Sequence, residues 1–491
     1  MPSETGMKKR RAATKNANPL PVTLLAAALS VLSLGYLFVA GGNVLLRFAL
    51  AIVVLIVSGS AISAANGIKS SYGAYLFGGR RGIEFIDSLS SRNKKQWTAL
   101  ADWGLAFSFG LLSLPMFGKR LSRRTFLLGM ATIVVILVFV FPYLSVVLSF
   151  INIPQISNAA AASASGTGAP GASLLYYAII AAGIIGGFSL FTTVLILYAG
   201  GGILLGVFEF VAGYLSSKPN YSILSSQIPG VAPIIPGITI PFFAGVVSLV
   251  VLLIVHEFSH GILARIAKVR IKSIGVILFG IIPMGAFVEP DEGSIRKLRA
   301  RDQDRISVAG ISANMLVSLL FFAITLLLLY LVLPNIGTGG VLVTSVVKNA
   351  SAYGVIAPNT TILMWNGRTI RNEYDLAAAE SEYVAGNYVN VATDRGTYRV
   401  LPDGAGKLGV FVAPAKTTAA AYQAANFVYA VAALSFGLNF FVAIFNLLPI
   451  PGFDGWRIYQ GKIRNKRLLN ALAVLIVAAI LINVLPWFWT L

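Results

Sequence analysis

Eight stretches of this chain are each apolar for the length needed to cross a lipid bilayer, and this limits the fold more than any other feature. A helix rises about 1.5 Å per residue, so roughly 20 residues span the roughly 30 Å hydrocarbon core. Such runs lie near residues 22–40, 46–65, 125–150, 173–199, 239–268, 308–333, 424–448 and 467–489, with shorter runs at 103–117 and 202–214. Inside hydrocarbon every peptide group must find its partner within the protein, so these runs are expected as helices. The expected fold class is an α-helical multi-pass membrane protein with about nine transmembrane helices, placed in the cell membrane and in contact with its lipid. The first run follows "MKKRRAATKNANP" without a small-residue cleavage site. It reads as an uncleaved anchor with a cytosolic N-terminus.

A formal charge of +20 invites a nucleic-acid reading. Lysine and arginine, however, fall in short clusters beside hydrophobic ends: Lys8 to Arg11, Arg80 and Arg81, Arg92 to Lys95, Lys119 to Arg124, Arg296 to Arg305, and Arg457 to Arg467. That is the pattern of cytoplasmic loops in membrane proteins. With no aromatic-interleaved basic surface and no binding motif, no nucleic-acid partner is expected. The chain has no cysteine, which excludes disulfides and thiolate metal sites.

Four segments follow. Residues 1–172 form an N-terminal membrane block, closed by the uncharged small-residue stretch "NIPQISNAAAASASGTGAPGAS", which reads as a flexible extracytoplasmic loop. Residues 173–335 and 416–491 are two parts of one membrane core and carry the polar anomalies. Between them, residues 336–415 lose hydropathy and gain charges of both signs, and "GVLVTSVV", "YVNVATD" and "TYRVLP" alternate as strands do. "DRG" at Asp394 to Gly396 fits a tight hairpin turn. A small soluble domain is therefore expected between two membrane helices.

The chain places its two histidines within "VVLLIVHEFSHGILARIAK", residues 250–268, in an otherwise apolar run. On a helix His256 and His260 stand at i and i+4, so both imidazoles leave one face and can share a metal ion, with Glu257 in reach of a metal-bound water. Nitrogen ligands and a tetrahedral site make zinc the leading metal. The plain alternative is a polar seam between packed helices. An unpaired carboxylate beside two imidazoles is costly in hydrocarbon, however, and ionisable groups at that depth are functional by default. Catalytic zinc usually has a third protein ligand. The best candidate is Asp454 in "NFFVAIFNLLPIPGFDGWRIYQG", where Pro449, Pro451 and the glycines cannot continue a regular helix. Open backbone at membrane depth survives where it lines a wet cavity or is buried in protein; a simple interfacial turn with Asp454 solvated is the other reading.

The order of "HEFSH", an inserted domain and "NLLPIPGFDG" resembles the site-2 proteases, intramembrane zinc metalloproteases, over residues 173–491. The resemblance implies that His256, His260 and Asp454 bind Zn²⁺, that Glu257 is the general base, and that Asn446 holds the substrate peptide or its developing oxyanion. It implies membrane-protein substrates whose transmembrane helices unwind, cut either in signalling or in the clearance of signal-peptide remnants. The opened backbone around Pro449 is the expected partner of the unwound strand. Phe453 stands where the family usually has leucine. "AGISAN" places Ile311 at the family's usual proline, with Asn314 after it. "GIIPMGAFVEPDEG" at 280–293 is similar to the β-rich loop that follows the zinc helix in the family. The segment 336–415 resembles a PDZ-like α/β fold, expected as a size filter or docking module.

Gly310, Asn314 and Ser318 repeat at i, i+4 and i+8, and Ser435, Asn439 and Asn446 fall on one face of another helix. Asn314 and Asn439 are therefore candidate substrate-facing groups, although such stripes also serve close packing. Two other functions are open to such a chain. A metal-ion transporter would also place His and Asp in membrane helices, but usually with repeated halves, and no internal repeat is visible. A catalytically inactive PDZ-bearing scaffold should have lost Glu257 or a ligand.

Topology follows from parity. If 103–117 spans, the basic "KRLSRR" loop lies outside, against the charge rule, and 173–214 crosses once; if it does not, that loop stays inside and 173–214 is a hairpin turning at Gly200 to Gly202. Either way there are nine crossings, and Arg265, Lys268, Arg270 and Lys272 emerge in the cytosol, as the charge rule prefers. The domain at 336–415 is then extracytoplasmic, and Asp454 returns to the depth of the histidines near the cytosolic face.

Overall fold

The computed structural model describes residues 19–40, 44–68, 70–79, 81–118, 121–144, 172–216, 230–231, 234–333, 339–348, 350–404, 406–415 and 420–488, and singly residues 147, 150 and 223. The small-residue stretch at 151–171 and the basic cluster at Lys8 to Arg11 lie outside them. The chain divides into two compact units, Met1–Leu320 with Leu434–Leu491, and Phe321–Ala433. The second extends beyond 336–415 because it includes the ends of the two flanking helices.

The first unit opens with a helical hairpin, α1 (Leu20–Val39) and α2 (Val44–Ala65). Arg47 at its turn donates to the carbonyls of Leu37 at 3.3 Å and Ala40 at 2.9 Å, serving acceptors that a helix end leaves open. Strands β1 (Ser70–Ser71) and β2 (Ala74–Gly79) follow, then the amphipathic α3 (Arg81–Arg92) and α4 (Lys94–Phe109). A 3₁₀ turn at Gly110–Leu112 leads to α5 (Ser113–Phe117), and α6 (Arg123–Val135) is capped by the Ser122 hydroxyl. The long α7 (Ala172–Leu215) and α8 (Phe242–Ile266) come next. After α8 lie β3 (Ile271–Phe279), β4 (Ile282–Pro290), the short α9 (Glu292–Arg296) and α10 (Ala300–Leu327).

Nine described helices or helix runs are long and apolar enough to cross a membrane, among them Lys94–Phe117 and the single run Tyr177–Leu215. Of the two ways of counting crossings, this matches the one in which 103–117 spans. No hairpin forms at Gly200 to Gly202: the backbone there stays helical. A Cβ on Gly200 would stand 3.1 Å from Asn483 Nδ2 and 3.3 Å from the Ala479 carbonyl, so this glycine permits close helix packing and does not make a turn. The break in α7 comes earlier, at Gly187, with φ 61° and ψ −162°. It lies against the break after α4, where Gly110 has φ 52°. Around this crossing Phe107, Phe191 and Phe440 each pack edge to face against Phe188, with ring centres 5.7–6.2 Å from it.

A four-stranded antiparallel sheet of order β1-β2-β3-β4 joins segments far apart in sequence: Ala74 of the N-terminal block pairs with Phe279, and Gly79 with Ile274. Tyr75 donates its hydroxyl to the Gly280 carbonyl at 3.1 Å. Because the tight β3–β4 turn passes against Leu55 and Ser58 of α2, glycine is required at 280, where φ is 62°.

The second unit carries a sheet of order β10-β5-β6-β8-β9 built from β5 (Val341–Val346), β6 (Thr360–Trp365), β7 (Arg368–Thr369, pairing with β6), β8 (Val389–Thr393), β9 (Gly396–Val400) and β10 (Val410–Pro414). The helix α11 (Glu373–Ser381), N-capped by Asn372, packs Leu376 and Ala379 onto a core of Val341, Val343, Ile362, Trp365 and Val391. Thr393 pairs with Gly396, so Asp394 and Arg395 form the two-residue hairpin turn. The chain ends with α12 (Ala420–Phe445), α13 (Asp454–Lys462) and α14 (Lys466–Val484).

Gly187 occupies backbone space open essentially to glycine alone, and an added Cβ would meet the Phe107 carbonyl and the Ser108 and Phe109 main chain. Gly187→Ala is expected to destabilise the protein by roughly 2–4 kcal/mol. Thermal unfolding in detergent checks this: an unchanged midpoint would show that the two broken helices are free to separate.

Candidate metal centre

The middle of α8 presents His256 and His260 one turn apart, and their Nε2 atoms stand 3.3 Å from each other. Asp454, the first residue of α13, brings Oδ2 to 3.2 Å from His256 Nε2 and 3.1 Å from His260 Nε2. Asp454 reaches this position through the loop that the prolines force. After α12 ends, Leu447 and Leu448 are buried, Gly452 turns the chain with φ 98°, and the Gly455 N–H donates to the Asn446 carbonyl at 2.7 Å. A Cβ on Gly455 would lie 2.5 Å from the Leu447 carbonyl oxygen, so the loop closes only on glycine.

Four ligands about 2.0–2.1 Å from a tetrahedral zinc lie about 3.3 Å apart. The three donors here have that spacing, and among the described residues they are the one group of His, Cys, Asp and Glu convergent enough to hold a metal. The donor set fits zinc.

The orientation of each imidazole is set from α10. His260 Nδ1 is 2.7 Å from the Ile306 carbonyl, to which its N–H donates, leaving the Nε2 lone pair for a metal. His256 Nδ1 is 3.1 Å from the Asn314 amide, with the amide nitrogen facing it and Oδ1 buried without a hydrogen-bond partner. Turning the amide by half a rotation gives Oδ1 the Nδ1 proton and frees Nε2; that orientation satisfies both groups. Between these contacts lies Gly310, where a Cβ would come within 2.5–2.6 Å of both rings.

Glu257 accepts the Val288 N–H of β4 at 3.2 Å, so the strand after the metal helix fixes its carboxylate. Other expected residues are placed differently. Asn439 is buried and donates to Ser435 O of its own helix, with no described contact to the cluster. Ser318 and Ser435 tie helices together, to Phe436 O at 3.0 Å and Ser248 Oγ at 3.1 Å. Asn446 and Pro449 lie in the loop that delivers Asp454; the structure gives Asn446 main-chain bonds only. The Ile306 carbonyl and the Val288 N–H escape a reading of side chains, since any residue supplies these groups.

Residues 244–485 match Peptidase family M50. An uncharacterized protein of Methanocaldococcus jannaschii, MJ0971, is 29% identical over 228 residues, which is 46% of this chain and 58% of that protein. The match thus spans less than two thirds of the relative. The matched region begins two residues into α8 and ends just after α14, so it takes in the HEFSH helix, α10 and the Asp454 loop and leaves α1 to α7 outside. Residues 244–485 are a Peptidase family M50 domain, the family of the site-2 proteases.

Proposed function

We propose that this protein is a zinc-dependent intramembrane endopeptidase that cuts transmembrane segments of other membrane proteins. The observation that carries the reading is the convergence of His256 Nε2, His260 Nε2 and Asp454 Oδ2 at 3.1–3.3 Å, with Glu257 on the same helix. Zinc held by these three residues would acidify a bound water and polarise a peptide carbonyl. Glu257, fixed by the Val288 N–H, takes the water proton and hands it to the leaving amine. Ile306 and Asn314 keep the imidazoles turned with Nε2 inward. A helical substrate must unwind before its peptide bond is reachable. β4 ends the sheet and has a described strand partner on one side only, so an extended segment beside Glu257 has main-chain groups to pair with. Asn446 and Pro449, in the open loop before Asp454, are the proposed contacts on its other side. The fold of the second unit is proposed to be PDZ-like, a helix and a sheet that sort or dock substrates.

Purified protein is expected to hold one zinc per chain. Replacing His256, His260 or Asp454 by alanine should lower occupancy, while Glu257→Gln keeps the metal and abolishes cleavage, a loss of about 100-fold or more for a general base. Elemental analysis that finds full zinc in His256→Ala would remove the assignment. The proposed topology puts the N-terminus and the basic segments at 265–305 and 457–467 in the cytosol, and the Lys119 to Arg124 cluster and residues 336–415 outside. In this cysteine-free chain, Asn387→Cys should react with an impermeant thiol reagent on intact cells and Lys297→Cys should not. The opposite labelling would reverse the orientation.

A further inference from the structure

The M50 domain begins at residue 244, yet the helix that orients its histidines is held from outside it. On α10 the successive side chains of Asp304 and Arg305 reach two different elements, as the 100° step of a helix allows, and the main-chain carbonyl of Ile306 reaches a third. Asp304 receives Lys462 Nζ at 2.9 Å, and Lys462 is the last residue of α13, the helix that Asp454 begins. Arg305 donates twice to Asp102 of α4, Nε to Oδ1 at 2.7 Å and Nη2 to Oδ2 at 2.6 Å. Ile306 gives its carbonyl to His260. The two ion pairs are largely withdrawn from solvent, with side chains 15% and 13% exposed for Arg305 and Asp102 and 16% and 8% for Lys462 and Asp304.

The same N-terminal segment touches α10 and α13 again. Gly104, half a turn after Asp102, lies so close to Ser312 and Val308 that a Cβ there would overlap the serine hydroxyl. Phe117 lies 4.6 Å below the Lys462 ammonium. A two-pronged guanidinium–carboxylate pair fixes direction as well as distance, and a close glycine contact fixes separation. Together they prevent α10 from turning or sliding, the movements that would carry the Ile306 carbonyl off His260.

We infer that α4 of the N-terminal block is part of the frame of the metal centre. Asp102 is a positioning residue that acts on His260 through Arg305 and Ile306, and Lys462 is one that acts on Asp454 through Asp304. The inference rests on the zinc-protease reading of the site.

The experiment uses the full chain in detergent, loaded with zinc. It follows zinc release to excess chelator, thermal unfolding of the metal-free protein, and kcat and KM for a cleaved transmembrane peptide. Loss of a group behind a metal-bound imidazole typically weakens the site 10- to 100-fold, so Asp102→Asn and Lys462→Met should each release zinc at least about 10-fold faster. In both, kcat should fall with KM near the wild-type value, and the metal-free protein should unfold as the wild type does. Arg301→Gln removes only the outer, more exposed contact to Asp102, 3.2 Å long, and should stay within about twofold of wild type. Exchanging the pair, Asp102→Arg with Arg305→Asp, should recover most of the lost retention. Wild-type release rates in Asp102→Asn and Lys462→Met would overturn the inference, as would faster release that only follows a lower unfolding temperature. Should Asp102→Asn fail to fold, Lys462→Met decides by the same criteria. A wild-type chain that binds no zinc at the histidines would overturn the protease reading instead, a result separate from these.

Discussion

Three electron-pair donors, two imidazole nitrogens and a carboxylate oxygen, stand within 3.3 Å of one another in a unit built largely of apolar helices. Without a shared cation or protons such a cluster repels itself, and burial deepens the cost. The architecture around it follows from keeping those atoms together. α8 supplies two donors from one face, the loop closed by Gly455 N–H supplies the third, and α10 fills the remaining side with a glycine because no larger residue fits against both rings.

Much of this was legible in the residues. The i, i+4 histidines with Glu257 predicted one face and one ion. The prolines and glycines before Asp454 predicted a broken helix, and the structure brings that carboxylate to the histidines. Asn314 also meets the site. Asn439 has no described contact to the cluster: its amide N–H goes to Ser435 O of its own helix and its Oδ1 is buried without a partner, and a stripe at helical spacing cannot tell a site-facing amide from a packing one. The run at 173–214 allowed a hairpin at the glycine triplet. Helical continuity prevailed there, since glycine in an apolar helix is tolerated where a neighbour packs closely, and Asn483 and Ala479 do so at Gly200. The break at Gly187 has no sequence mark beyond another glycine pair; it is explained only by the main chain of residues 107–109 lying where a Cβ would be.

The least legible part was the tie between the N-terminal block and the rest. Nothing in residues 70–110 signals a partner hundreds of positions away. Yet Asp87 pairs with Arg265 of the metal helix, Asp102 with Arg305, and Phe85 meets Phe258 edge to face at 6.0 Å. Such contacts depend on tertiary geometry, and each carries a charge or ring that in sequence reads as ordinary loop or interface chemistry. The apolar patterning fixed which segments are helices, but left open which helices touch.

The sheet shared by β2 and β3 has a consequence for the order of assembly. The paired residues lie about 200 positions apart, a separation that makes closure slow relative to local helix formation. As the chain leaves the ribosome, β2 can pair at once with the short β1 but is made long before β3, and the main-chain groups on its β3 edge wait unpaired. That edge can be satisfied only after α8 has entered the bilayer and β3 has emerged behind it. The strand thus acts as a late latch. The two halves of the membrane unit lock in that sheet only once the histidine-bearing helix is in place, so a chain stalled before residue 271 leaves an open strand edge, the feature by which unfinished β-structure invites wrong partners.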